Sequence, residues 1–202
     1  MAARYGLAID LDRCTGCQTC VVACQMENHL ERIAGIRVDT IGGARRDTPR
    51  GQYPELSMYY LPILCMHCGE APCIDACPKG AIYRRRDGIV LLDDGVCDGC
   101  GVCVEECPYG ALANVVDGTK VWKCTLCCHR VDAGLKPFCV LCCGMEAMLF
   151  GDLSDPLSDI SKLIVQRGAS VLHRETKTDP AVFYCPLGER RSLHSGLVDN
   201  WY

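Results

Sequence analysis

Nineteen of the 202 residues are cysteine, and sixteen of them fall into four groups. The first is Cys14, Cys17, Cys20 and Cys24, and the second Cys65, Cys68, Cys73 and Cys77. The third is Cys97, Cys100, Cys103 and Cys107, and the fourth Cys124, Cys127, Cys139 and Cys143. Cys128, Cys142 and Cys185 stand outside the pattern. Groups one and three share the spacing C-x2-C-x2-C-x3-C, a run that holds a [4Fe–4S] cluster. Two short loops wrap three thiolates around one corner of a cuboidal cluster. The fourth cysteine, three residues on, opens a helix and points to another cluster. Group two lengthens one segment, C-x2-C-x4-C-x3-C, and group four lengthens one much further, C-x2-C-x11-C-x3-C. Proline follows Cys77 and Cys107, whereas Gln25 follows Cys24 and Gly144 follows Cys143.

Other cysteine chemistries fit less well. Disulfide frameworks belong to short exported chains, and an odd number of cysteines does not suit one. Four-cysteine zinc sites use two separated C-x2-C pairs, whereas groups one and three carry a third cysteine at the same spacing. Composition narrows the field further. Cysteine inflates the 49% hydrophobic content; without it roughly 40% remains, with only 6% aromatic, a thin organic core for this length that bound clusters must supplement. No apolar run reaches the ~18 residues of a spanning helix. The segment Met1 to Asp10 shows no apolar h-region and no paired arginines, so neither a secretory nor a twin-arginine signal is expected. Lys and Arg number 21 against 25 Asp and Glu, which predicts no nucleic-acid partner. Gly-rich phosphate loops, His-Glu-x-x-His and Gly-x-Ser-x-Gly are all missing from the sequence.

The elements that must position the cysteines repeat. Ala8-Ile9-Asp10 precedes Cys14 and Leu91-Leu92-Asp93 precedes Cys97, each aspartate four residues before its cysteine. Both segments read as a strand feeding a cluster loop. Two hairpins are expected around Asp-Gly turns: Ala81–Tyr83 with Ile89–Leu92 about Asp87-Gly88, and Ala113–Val116 with Lys120–Trp122 about Asp117-Gly118. The predicted class is α+β, two bacterial-ferredoxin-like cluster-binding modules with short strands and helices, plus an irregular insertion and a C-terminal tail. The outer module comprises residues 1–24 and 108–151, the inner module 65–107, the insertion 25–64 and the tail 152–202. In the tail, Asp155-Pro156 starts a helix and Gly168 ends it, with Leu157, Ile160, Leu163 and Ile164 on a face that covers the core. Ala181–Tyr184 reads as a strand, Cys185 as a buried thiol, and Gly188–Gly196 as a polar arm.

With Cys65-Met-His67-Cys68-Gly-Glu-Ala-Pro72-Cys73 as its second group and Lys123-Cys124-Thr-Leu-Cys127 opening its fourth, the chain resembles the four-cluster electron-transfer (beta) subunit of molybdopterin oxidoreductases, of the dimethyl sulfoxide reductase type. The similarity runs over residues 4–151 and returns at Tyr184-Cys185-Pro186. Arg50-Gly51-Gln-Tyr53-Pro54 and Tyr59-Tyr60 are also similar, more weakly, to the pyrogallol–phloroglucinol transhydroxylase small subunit. The resemblance implies a nested pairing of four [4Fe–4S] clusters. Cluster 1 would take Cys14, Cys17, Cys20 and Cys143, and cluster 2 would take Cys65, Cys68, Cys73 and Cys107. Cluster 3 would take Cys97, Cys100, Cys103 and Cys77, and cluster 4 would take Cys124, Cys127, Cys139 and Cys24. The family usually has proline after its last cysteine; here Cys142-Cys143-Gly144 leaves either cysteine open as the ligand, the x3 spacing from Cys139 favouring Cys143. Cys128 competes with Cys127 in the same way, and the x2 spacing favours Cys127.

The formal charge of −4 becomes roughly −12 with four oxidised clusters, and nearby cations and N–H groups must offset it. Arg13, Lys79, Lys123 and Arg130 lie next to cluster cysteines, with Lys123, Arg130 and His67 the candidates for a supporting shell. None of the five histidines has a visible acid–base partner, so the expected chain is a wire and not an enzyme. Its expected partner is a large catalytic subunit with a molybdenum or tungsten bis-pterin. A membrane anchor or soluble carrier completes the path, with no membrane span and no nucleic acid for this chain. The expected compartment is the cytoplasm, or export folded with a signal-bearing partner. The rival is a free polyferredoxin, against which the long insertion and tail speak.

Overall fold

A computed structural model describes residues 3–115 and 118–188. The apolar run before Cys14 forms β1 (Tyr5–Asp10), in which Leu7, Ala8 and Ile9 are wholly buried. Burial on both faces follows from its place at the centre of a three-stranded sheet. β1 is followed by α1 (Thr19–Glu27), β2 (Ile36–Ile41), β3 (Tyr59–Leu64) and α2 (Pro72–Asp75). Then come β4 (Ile82–Arg84), β5 (Val90–Leu92), α3 (Val102–Glu105), β6 (Leu112–Asn114) and β7 (Val121–Lys123). The chain continues through α4 (Cys128–Asp132), α5 (Phe138–Leu141), β8 (Met148–Asp152), α6 (Asp159–Arg167) and β9 (Val182–Cys185). Short helices separate antiparallel strand pairs, giving a mixed helix and strand content.

The repeated aspartate starts the loops of groups one and three in the same way. Asp10 Oδ1 accepts from the N–H of Asp12 and Asp93 Oδ1 from that of Gly95, so each closes an Asx turn. Their carbonyls then accept from the N–H groups of Cys14 and Cys97. The hairpins form as β4–β5 and β6–β7, both antiparallel. Gly88 takes the left-handed turn position with φ 85°, which its missing Cβ allows. Asp117 of the second turn lies outside the described residues, as does the arm beyond Gly188.

Two expectations need correction. The insertion is not irregular throughout: β2 and β3 pair antiparallel from Ile36↔Leu64 to Ile41↔Tyr59. Ile36 and Val38 are buried while Arg37 is exposed, a period-2 pattern that Pro62 obscures; a two-stranded edge tolerates that proline. The tail helix begins at Asp159, later than Asp155-Pro156. Asp155 closes a turn onto Leu157, and Ser158 then caps the helix by accepting from Ser161 N–H. Leu157 is left 74% exposed, and Ile160 alone of that face is fully buried, against Gly151 of β8. The helix covers the sheet and ends at Gly168 in the left-handed conformation, as expected.

The tail does more than cap. Residues 178–181 cross the second cysteine group, where Gly69 and Glu70 N–H donate to Asp179 and Thr178 carbonyls and Ala181 N–H donates to Met66. The chain then enters the sheet as β9, parallel to β1, and the Cys185 thiol is buried there.

Candidate metal centre

The first C-x2-C turn of each group places a left-handed residue immediately before its second cysteine: Gly16 (φ 67°), His67 (φ 45°), Gly99 (φ 72°) and Leu126 (φ 53°). The reversal brings the two thiols to one side of a tight loop. Glycine adopts it freely, while His67 and Leu126 accept about 1–2 kcal/mol of strain and are almost wholly buried.

The folded chain gathers cysteines across groups. Burial first, and then the charges of Cys14, Cys143 and Cys17, raise the Cys20 thiol to about 12. Cys14 is raised in the same way, by burial and then by Cys143 and Cys17. These residues form quartet one. Cys68 and Cys73 are each pushed up to about 12 by burial and by Cys65 and Cys107, their companions in quartet two. Quartet three centres on Cys103, raised to about 11 by burial and by Cys77, Cys100 and Cys97. Quartet four lines one cavity with Cys24, Cys124, Cys127 and Cys139; Cys65, Cys68, Cys73 and Cys107 line another. Burial raises Cys124 and Cys139 well above the ordinary thiol range, and Cys24 adds to both. Cys142 caps the end of α5 through its N–H, and Cys128 opens α4.

Backbone donors converge on the sulfurs. Ala81 N–H donates to Cys77 and Ala147 N–H to Cys143, both at 3.3 Å and both from four residues on. Around Cys77, burial opposes ionisation, but the Ala81, Lys79, Ile82 and Gly80 amides outweigh it and lower the thiol. Cys24 departs from this rule, because Asn28 N–H closes α1 on the Cys24 carbonyl. Its sulfur instead accepts from Gly35 N–H at 3.2 Å, with the Asn28 amide at 3.7 Å. A Cβ on Gly35 would stand 2.9 Å from Cys124 Cα, so only glycine lets the insertion pass between Cys24 and Cys124. Cys17, exposed, is lowered by its hydrogen bond with the Thr19 hydroxyl.

The donor sets suit [4Fe–4S] clusters. Sulfur is their shared chemistry, with no carboxylate or imidazole lining either cavity. Among the described residues no three His, Cys, Asp or Glu side chains converge tightly enough for a single metal ion. One zinc ion, with Zn–S bonds of about 2.3 Å, would draw its sulfurs closer than a cuboidal cluster does. Buried thiols that repel one another's ionised forms stay protonated unless a bound cation offsets the charge of their thiolates. His67 adds a sign of its own: Nδ1 accepts from Val90 N–H at 3.0 Å, so the proton sits on Nε2, which is buried and has no acceptor among the described residues. Burial and then the charge of Lys123 hold this imidazole well below its usual range, and it stays neutral.

The four nearby cations differ. Arg13 pairs with Glu146 and Lys79 with Asp98, all 45% exposed or more. Arg130 bonds Glu27, donates to the Lys136 carbonyl and lies 5.1 Å over the Phe138 ring. Lys123 is buried, and its Nζ donates to the carbonyls of Val90 and Cys124. Gly35 carried no sequence signal as a ligand neighbour. Thr178 carried none either, though it bonds Cys68 and, at 2.5 Å, the Tyr109 hydroxyl.

Cross-group thiol quartets, two of them on loops opened by Asx turns, define the class: an iron–sulfur protein built from ferredoxin-type units. Two families, each described as "4Fe-4S dicluster domain", match residues 56–153 and 13–82. The chain is 43% identical to the putative dimethyl sulfoxide reductase iron–sulfur subunit of Halobacterium salinarum, over 89% of this chain and 78% of that one. It is 40% identical to a tetrathionate reductase subunit of Salmonella typhimurium, over 92% and 74%. With the arsenate respiratory reductase iron–sulfur subunit of a Shewanella species it shares 32% identity, over 90% and 95%. The chain belongs to the family of iron–sulfur electron-transfer subunits of the dimethyl sulfoxide reductase type. It carries [4Fe–4S] clusters, and its part in an oxidoreductase complex is electron transfer and not bond chemistry. Among the described residues no helix is long and apolar enough to cross a membrane.

Proposed function

We propose that the chain holds four [4Fe–4S] clusters, one per quartet, and links a molybdenum- or tungsten-pterin catalytic subunit to a membrane anchor or soluble carrier. The observation that carries this reading is the crossing: each quartet takes three cysteines from one group and one from a distant group. Each cluster, when bound, takes up and releases one electron. The thiolates fix the clusters, and the amides of Ala81, Ala147 and Gly35 offset charge at the sulfurs they face.

The quartets fall in the order one, four, two, three. Cys20 acts on Cys139, which sets quartet one beside quartet four, and Cys65 acts on Cys124, which sets quartet four beside quartet two. Group two supplies both quartet two and, through Cys77, quartet three. The outer and inner modules of the sequence thus meet at quartets four and two. Cys17 of quartet one and Cys100 of quartet three are exposed, which suits entry and exit at opposite ends.

Anaerobic purification through a tag on this chain tests the reading, with iron, molybdenum and tungsten counted per copy. About sixteen iron atoms with one molybdenum or tungsten, in a band with a larger protein, is the expected result. Iron in that amount with neither metal and no companion would point instead to a free polyferredoxin.

A further inference from the structure

Within each module, cysteine runs tie neighbouring quartets together. Cys14–Cys24 serves quartets one and four, while Cys65–Cys77 and Cys97–Cys107 serve quartets two and three. No run is shared at the junction between quartets four and two, where Cys65 and Cys124 approach. Lys123 stands at that junction.

Lys123 is 2% exposed, and among the described residues it has no carboxylate partner. One of its hydrogen bonds goes to the Val90 carbonyl, and Val90 lines the cavity of quartet two. Another, at 3.0 Å, goes to the carbonyl of Cys124, a member of quartet four. The N–H of Val90 in turn donates to His67, inside the loop of group two. A buried ammonium without an anion is costly, and two neutral carbonyls do not neutralise it. On the four-cluster reading, the anions that would stand on either side of it are the thiolate-bound clusters.

We propose that Lys123 is a positioning residue for electron transfer: the fixed counter-charge shared by quartets four and two, which raises the reduction potential of the clusters held on both sides and favours an electron at the one junction without a covalent run. This rests on the four-cluster reading above. The sign follows from charge: reduction makes a cluster more negative, and a nearby cation stabilises that state.

The test is a potentiometric EPR titration of the purified iron-loaded protein, in Lys123→Met, Lys123→Gln and Lys123→Arg beside the parent. Lys123→Gln keeps a donor for the Val90 carbonyl without the charge, so it serves if Lys123→Met loses iron. The expected result is a fall in two midpoints, at least tenfold in the reduction equilibrium (59 mV for a one-electron couple), with the other two unmoved. Lys123→Arg should restore both. Four unmoved midpoints in the charge-free variants, or an equal fall in all four, would overturn the inference. A parent protein without four reducible clusters would instead overturn the reading beneath it.

Discussion

The inner pair of quartets and the end pair are built from the same loop with different residues. At the ends, the left-handed position before the second cysteine is Gly16 or Gly99, and Cys17 or Cys100 reaches solvent. In the middle, the same position holds His67 or Leu126, both buried, and Lys123 lies between the quartets. Glycine costs nothing in that conformation, so the strained side chains must return more than they cost. What they supply is filled space and, at His67 and Lys123, polar hydrogens turned inward. On the proposed electron path the middle is insulated and charge-compensated, and the ends are left thin for exchange with other proteins. The tail and the insertion serve the middle too: Thr178 bonds Cys68, and Gly35 bonds Cys24.

The sharpest way to break this contrast is to remove one ligand from each region. Cys124→Ser should cost the buried cluster and, with it, several kcal/mol of folding energy, leaving an aggregating or iron-poor chain. Cys100→Ser should keep the fold and lose iron at one exposed site only. Iron per chain and far-UV circular dichroism measure both, and equal damage would erase the distinction.

Leu126→Gly tests the strained position. Relief of about 1–2 kcal/mol of strain cannot match the 2–5 kcal/mol that emptying a buried leucine site costs. A net loss near 2 kcal/mol should lower Tm by about 4–8 °C. A rise in Tm would show that strain dominates. Gly35→Ala comes next: its Cβ must displace Cys124 backbone, about 1–2 kcal/mol of overpacking, seen as a lower Tm and a disturbed quartet-four EPR signal.

The smallest effect lies at the surface of α1. A hydrogen bond from His129, then that from Arg130, holds Glu27 below the usual carboxylate range. A depressed folded value means stability present above the unfolded value, near 4.3, and lost as pH falls through the folded one. Glu27→Gln should flatten the acid limb of the stability curve by about 0.5 kcal/mol, read from urea midpoints between pH 6 and pH 3.

Much of the site was legible because cluster ligation demands fixed short spacings, and the Asp10 and Asp93 repeat marks where each loop starts. The hairpins were legible from their Asp-Gly turns. The β2–β3 ladder was not, since Pro62 and the loop around Gly42-Gly43 hide its alternation. Gly35 and Thr178 gain their roles only when distant segments meet sulfur, and no local pattern encodes that. Lys123 stood out in sequence as a neighbour of Cys124; its burial between two quartets came only from the fold.

The crossing of ligands between groups is the centre of the account, and EPR of four single variants tests it directly. Cys24→Ser and Cys139→Ser, far apart in sequence, should abolish the same cluster signal. Cys20→Ser and Cys143→Ser should together abolish a different one. Loss of one common signal in Cys20→Ser and Cys24→Ser, neighbours in a single run, would contradict the crossing.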